Sequence, residues 1–215
     1  MPLRNLVALM GMTIVLSAQA ATDGATLVKQ GNTRGAPACA TCHGANGAGL
    51  AGANFVRLAG LGHEYLAKQL RDFKSGAREN PTMQPIASAL TDEEINASAE
   101  YFSKLAKPAG VTEKNAHDTL TQRGAALARN GNWAKEMPAC FQCHGAAGQG
   151  VPPNFPAITG QPAEYIVAQI NAWRIGTRHN DPIKLMATIS SKLSEDDAKA
   201  VAAYLAGATA KDKAP

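Results

Sequence analysis

One module is written twice along this chain, and that repetition limits the folds open to it. Cys39-Ala40-Thr41-Cys42-His43 returns as Cys140-Phe141-Gln142-Cys143-His144, shifted by 101. Around it Gly31-Asn32 matches Gly131-Asn132, Pro37-Ala38 matches Pro138-Ala139, and Asn54-Phe55 matches Asn154-Phe155. Gly44, Gly47 and Gly49 match Gly145, Gly148 and Gly150. Glu64-Tyr65, Gln69, Gly76, Arg78 and Asn80 recur as Glu164-Tyr165, Gln169, Gly176, Arg178 and Asn180, a shift of 100. The second copy then gains three residues, so that Met83, Leu90 and Tyr101 match Met186, Leu193 and Tyr204. Whatever one copy folds into, the other must fold into as well. The seam is expected in the Pro/Gly stretch Pro108-Ala109-Gly110, giving units of 21–108 and 109–215.

Each copy reads as helical. From Glu64 to Lys74, Leu66, Leu70 and Phe73 share one face at i, i+4 and i+7, and Gly76 follows as a stop. The twin carries Ile166, Ile170 and Trp173 before Gly176. Thr91-Asp92-Glu93-Glu94 is a capping box that opens a last helix with Ile95, Ala99 and Phe102 turned inward. Ser194-Glu195-Asp196-Asp197 opens its twin, with Asp where Glu or Gln is customary. No run of alternating strands is present, so the fold class expected is all-α. Aromatic residues make up only 5% of the chain, thin for two cores of this size, and a bound apolar cofactor would supply the missing volume.

Two cysteines three residues apart lie on nearly one helical face, and the histidine after them can be aimed at a metal. C-x-x-C-H is the attachment signal of c-type haem, the two thiols reaching the two vinyl groups. Three other readings fit less well. A thioredoxin-like pair needs a βαβ setting, zinc needs ligands converging on one ion, and a disulfide closing so tight a loop is strained. Cys39, Cys42, Cys140 and Cys143 are therefore expected to bind two haem c groups, with His43 and His144 as iron ligands. The repeat also filters sixth ligands, because a ligand used by both copies recurs at matching positions. His63 faces Ala163, His179 faces Glu79, Met137 faces Ala36, and His117 has no counterpart. Met83 and Met186 pass, 40 and 42 residues after their histidines and each in a Pro-containing segment expected to run extended across the haem. Thioether ligation favours reduced iron. Two six-coordinate irons leave no vacancy for substrate, which predicts electron transfer and no enzymatic activity.

Residues 1–20 read as a secretory signal: Arg4, an apolar run from Leu6 to Leu16, and the small-residue site Ala18-Gln19-Ala20. The run falls short of the roughly 20 residues of a spanning helix, and no later segment is long and apolar enough, so a periplasmic protein without a transmembrane segment is expected. Without Arg4 the chain has 20 basic and 17 acidic residues, a formal +3. They split 9 to 8 over 21–110 and 11 to 9 over 111–215. Neither half is the basic patch that nucleic acid demands. Four haem propionates would largely cancel the positive charge, leaving no strong electrostatic reason for membrane attachment.

On these motifs, and on the runs Met83 to Phe102 and Met186 to Leu205, the chain resembles the cytochrome c4 family over nearly its whole mature length. The resemblance implies two tandem class I cytochrome c domains related by a pseudo-twofold axis, with propionate edges facing each other near the interface. It implies His/Met ligation and a monomeric carrier taking electrons from a quinol-oxidising complex towards terminal oxidases or reductases. It also implies first and last helices crossing at a glycine and an aromatic ring, which Gly24 with Tyr101 and Gly124 with Tyr204 fit. The family's proline whose carbonyl holds the ligating histidine is Pro156 in the second copy but Val56 in the first, so the haems are expected to differ in potential. Arg78 and Arg178 are candidates for pairing with propionates, and Phe73 and Trp173 for packing near the haems. The alternative function is the dihaem subunit of a flavocytochrome c sulfide dehydrogenase. A dihaem peroxidase would need one accessible iron, against which the paired methionines argue.

Overall fold

The first helix of each copy crosses the last at a point where no side chain fits. A computed structural model describes residues 23–50, 52–108 and 118–208. The expected signal at 1–20, the seam at 109–110 and His117 lie outside the described residues. The first copy contains α1 (Gly24–Gln30), α2 (Ala40–His43), α3 (His63–Ser75), α4 (Met83–Ser88) and α5 (Asp92–Lys104). The second contains α6 (Thr119–Asn130), α7 (Cys140–His144), α8 (Ala163–Ile175), α9 (Leu185–Lys192) and α10 (Glu195–Gly207), with a 3₁₀ turn at Trp133–Lys135. Among the described residues only isolated β-bridges join segments, so the architecture is all-α. A Cβ on Gly24 would stand 2.3 Å from the Ala97 carbonyl oxygen, and one on Gly124 2.0 Å from that of Ala200. Tyr101 and Tyr204 flank these crossings.

Local signals end the helices where the residue types predict. Asp23 accepts from the N–H groups of Ala25 and Thr26 to start α1. Both capping boxes form: Thr91 with Glu94 on α5, and Ser194 with Asp197 on α10. The shorter Asp197 side chain still reaches the Ser194 N–H, at 3.2 Å. Gly76 and Gly176 close α3 and α8 in the left-handed region, at φ +84° and +83°. The inward faces are as the periodicity predicts, with Leu66, Phe73, Ile95, Ala99 and Phe102 buried in the first copy. Ile166, Ile170, Val201 and Leu205 are buried in the second.

One expectation changes. The segments carrying Met83 and Met186 do not run extended: Met83 is the first residue of α4 and Met186 the second of α9. The cause is side-chain capping. Asn80 accepts from the N–H groups of Thr82 and Met83 at 3.0 and 2.8 Å. Asp181 accepts from those of Met186 and Ala187 at 2.5 and 3.2 Å. These bonds satisfy orphan donors and let a helix start directly after a proline-containing turn.

Candidate functional site

Each copy has an apolar cleft among the described residues, and the predicted site residues fall into these two clefts as matched sets. Cys39, Cys42, His43 and Met83 line a cleft of about 280 Å³ in the first copy, walled by Leu66, Leu70, Phe73, Ile86, Leu90 and Phe102. Cys140, Cys143, His144 and Met186 line one of about 170 Å³ in the second, walled by Ile166, Ile170, Trp173, Ile189, Leu193 and Leu205. His63, Met137 and His179 line neither cleft. Met137 is buried in the second core, while His179 is exposed.

Tight backbone turns place the histidines. After each C-x-x-C-H the chain doubles back, with Gly49 and Gly150 at φ +77° and +90°. A Cβ on Gly49 would stand 2.5 Å from the Phe55 carbonyl oxygen, so only glycine lets the return strand approach. That return sets the Val56 carbonyl 3.0 Å from His43 Nδ1 and the Pro156 carbonyl 2.8 Å from His144 Nδ1. Val56 therefore keeps the bond that its side chain placed in doubt. A ring nitrogen facing a carbonyl must donate, so Nδ1 carries the proton and Nε2 keeps its lone pair. Burial holds both imidazoles below their ordinary pKa, against the opposing pull of the carbonyl bonds, which favours the neutral ligand form. Phe55 and Phe155 meet the two imidazoles edge-on, at centroid distances of 6.3 and 6.0 Å.

None of the four cysteines is in a disulfide, and all are half-buried. Burial pushes Cys39 up, with its neighbour Cys42 adding to the effect, and Cys140 up to about 11. A thioredoxin-like pair depends on a lowered thiolate pKa, so this environment argues against redox thiols. Among the described residues no three His, Cys, Asp or Glu side chains converge on a bare metal ion, which argues against zinc. The donor set fits a covalently attached haem: two thiols and a neutral imidazole on one helical turn, a thioether across the chain, and apolar walls. The group would supply one-electron redox chemistry.

The clefts meet at the boundary between the copies. Arg78 and Arg178 form an antiparallel bridge, with Glu79 N–H donating to Thr177 O at 2.8 Å and His179 N–H to Ala77 O at 3.0 Å. Each guanidinium covers an aromatic ring of its own copy, Arg78 at 4.5 Å from the Phe73 centroid and Arg178 at 3.8 Å from that of Trp173. Each also crosses over. Arg78 donates to Tyr165 Oη at 2.9 Å and Gln169 Oε1 at 2.6 Å. Arg178 donates to Tyr65 Oη at 3.3 Å and Gln69 Oε1 at 3.0 Å. Arg78 lines the first cleft and Arg178 the second, and at 6% and 4% exposure neither is a solvated loop arginine. Tyr165 reaches into the first cleft and Tyr65 into the second, so each site is completed by the other copy.

The sequence reading passed over Arg57, which is 1% exposed and bonded across the boundary. The signal was present as a mismatch in the repeat, Arg57 against Ala157 and Gln161 against Leu61.

Comparison with known proteins agrees with this geometry. The family model described as "Cytochrome c" matches residues 121–209, and that described as "Cytochrome C oxidase, cbb3-type, subunit III" matches 19–102. The chain is 48% identical to the thiosulfate dehydrogenase electron acceptor of Stutzerimonas stutzeri (strain A1501), covering 93% of each. It is 39% identical to cytochrome c4 of Pseudomonas aeruginosa, over 80% of this chain and 84% of that one. Among solved structures, reduced recombinant cytochrome c4 from Pseudomonas stutzeri superposes with a TM-score of 0.72 at 34% identity, over 80% of this chain and 93% of that one. A thiosulfate dehydrogenase from Marichromatium purpuratum superposes with a TM-score of 0.80 at 41% identity, over 86% of this chain. The chain spans only 40% of that longer protein.

Proposed function

Because the chain belongs to the cytochrome c4 family and carries two covalently bound haem c groups, we propose that it receives electrons from a thiosulfate-oxidising dehydrogenase and passes them towards a terminal oxidase or reductase. Electron transfer by a dihaem cytochrome is the family's function. Two relatives, 48% and 45% identical, are thiosulfate dehydrogenase electron acceptors, and their names carry this reading. The second reading, a quinol-oxidising complex as donor, rests on likeness to the cytochromes c4 themselves.

In this reading Cys39, Cys42, Cys140 and Cys143 hold the haems, and His43 with Met83 and His144 with Met186 ligate the irons. The matched presence of each set in one cleft supports this. Arg78 and Arg178 pair with propionates. Residues 1–20 direct export to the periplasm, and 21–108 and 109–215 form the two domains. No helix among the described residues is long and apolar enough to cross a membrane. The protein acts as a monomeric relay and has no turnover of its own.

Two measurements test it. Oxidised holoprotein is mixed anaerobically with thiosulfate and a thiosulfate dehydrogenase, and haem absorbance is followed. Reduction at least tenfold faster than with inactivated dehydrogenase supports the donor assignment. Reduction by a quinol-oxidising complex alone transfers the role to that complex, and thiosulfate oxidation by the cytochrome alone would refute the relay. The ligands are tested by Met83→Ala and Met186→Ala, each expected to remove about half of the weak sulfur-to-iron band of the oxidised protein. An unchanged band in either variant reassigns that ligand.

A further inference from the structure

The boundary is symmetric at Arg78 and Arg178 but departs from symmetry at two places. At one, Gln161 clamps the Arg57 backbone from the second copy, accepting from its N–H and donating to its carbonyl, both at 3.0 Å. The other lies at the segment that carries Met186. In the first copy Asn80 lines the cleft and turns back on its own chain, where its side chain accepts from the Thr82 and Met83 N–H groups. In the second copy the lengthened segment brings in Asp181, which does the same for Met186 and Ala187. Asn180 is thereby released and turns the other way. It donates across the boundary to Asp72 Oδ2 at 2.6 Å and to Gln69 Oε1 at 2.9 Å, and it accepts from Arg178 Nε at 3.1 Å. Lys68 closes the link, its Nζ donating to Asp72 Oδ2 at 2.5 Å and to the Asn180 backbone carbonyl at 3.1 Å. The Asp72 side chain is 14% exposed. No link runs in reverse, because Ala168 and Ala172 stand where Lys68 and Asp72 would. Lys68, Asp72 and Asn180 line neither cleft, so these bonds lie outside the space a haem would fill.

We infer that Asp72 is a positioning residue for Met186, an anchor in the first copy that acts through Asn180 to hold the sixth-ligand segment of the second. The inference rests on the ligand assignment proposed above. Asn180 and Asp181 are consecutive, so tying Asn180 fixes the root of the turn that ends in Met186. The thioether reaches its iron only while that turn keeps its shape, and each restraint lowers the population in which it stands off. A bond to a carboxylate is charge-assisted, the stronger kind, and this one is largely shielded from solvent. Met83 has no such link, since among the described residues Asn80 bonds only within its own copy. The hold on the second methionine is therefore tied to the boundary in a way that the hold on the first is not.

The test is an imidazole titration of the oxidised holoprotein in which each axial methionine is followed by NMR through its methyl group. Imidazole binds an iron only when the thioether is off, so its apparent affinity rises with the open fraction. Asp72→Ala cuts the anchor with the residue that the repeat itself places at Ala172. It is expected to lower the imidazole concentration that half displaces Met186 about tenfold, the scale of one charge-assisted hydrogen bond. The concentration for Met83, whose segment Asp72 does not touch, is expected to stay within about twofold. Asn180→Asp sets two carboxylates together and is expected to act in the same direction. Adding Asp72→Asn to it restores a donor facing an acceptor and is expected to return Met186 to within about threefold of the parent. Asp72 also acts on Arg78 through its charge, and Arg78 lines the first cleft, so ligand displacement is read rather than potential. An unmoved Met186 in Asp72→Ala, an equal change at Met83, or no recovery in the exchanged pair each overturn the inference. Absence of the two methionine signals from the parent would instead overturn the ligand assignment, so the two failures are separable.

Discussion

Asp197 shows how much one side chain can hold. Burial alone would raise its carboxyl pKa, but hydrogen bonds from Ser194, Arg123 and Lys135 outweigh burial and bring it down to about 2. Arg123 Nη2 lies 2.6 Å and Lys135 Nζ 3.3 Å from its oxygens. A carboxylate with a depressed folded pKa stabilises the protein above its ordinary value of 3.8, and that stability is lost as pH falls from about 4 towards 2. Arg123 is half exposed, so screening discounts the shift to the order of 1–2 kcal/mol. Asp197→Asn should therefore destabilise the holoprotein at pH 7 by about that amount and flatten its stability curve between pH 4 and 2, as read by denaturant unfolding across pH. An unchanged difference between parent and variant at pH 2 and pH 7 would assign the effect to lost packing instead. The same device is built from Glu94 in the first copy, held by Thr91, Arg34 and Asn32. The residue pattern showed both capping boxes but not their basic partners, because Arg34 and Arg123 join from far along the chain and leave no local period.

At the scale of elements, the crossings of α1 with α5 and of α6 with α10 are among the tightest approaches in the two domains. The last helix can approach only because the first offers no Cβ. Gly124→Ala is expected to cost about 3 kcal/mol or more, since a methyl group would sit 2.0 Å from the Ala200 carbonyl oxygen and backbone must move. Gly62→Ala, with nothing within 4 Å of the added Cβ, should leave stability within about 0.5 kcal/mol. Thermal unfolding of the two holoproteins checks the contrast, and equal midpoints would show that the helices slide apart freely. The crossings were expected from the family resemblance, whose glycine and aromatic positions are filled by Gly24 with Tyr101 and Gly124 with Tyr204. Helices α4 and α9 were not. They are short, begin beside prolines, and depend on the side chains of Asn80 and Asp181 to start, so the residues preceding them read as extended chain.

For the whole molecule, charge and pairing are the relevant properties. With residues 1–20 removed as proposed, a formal charge of +3 would meet four propionates, so the holoprotein should focus near neutral pH, well below the sequence value of about 8.9. Isoelectric focusing checks this, and focusing near 8.9 would mean that the carboxylates are neutralised or the haems missing. The boundary between the copies was legible only in part. Tyr65, Gln69 and Arg78 recur at matched positions, but that they bond to each other's partners is a relation across about 100 residues that no periodicity carries. A charged residue such as Arg57 in a connecting loop reads as solvated until its surroundings are known. The inequality at that place bears on how such a protein can have arisen and what it can pair with. A homodimer of two first copies would set Leu61 where Gln161 now clamps the Arg57 backbone, stranding a buried N–H and a buried carbonyl at a cost of about 1–3 kcal/mol each, once for each Arg57. A homodimer of two second copies would set Ala157 where Arg57 stands, and the Gly160 and Thr159 carbonyls would lose the guanidinium that donates to them. After duplication the two halves have diverged into a lock and its key: each recognises the other better than itself, so the order within one polypeptide is matched by a chemical preference that would survive cutting the tether.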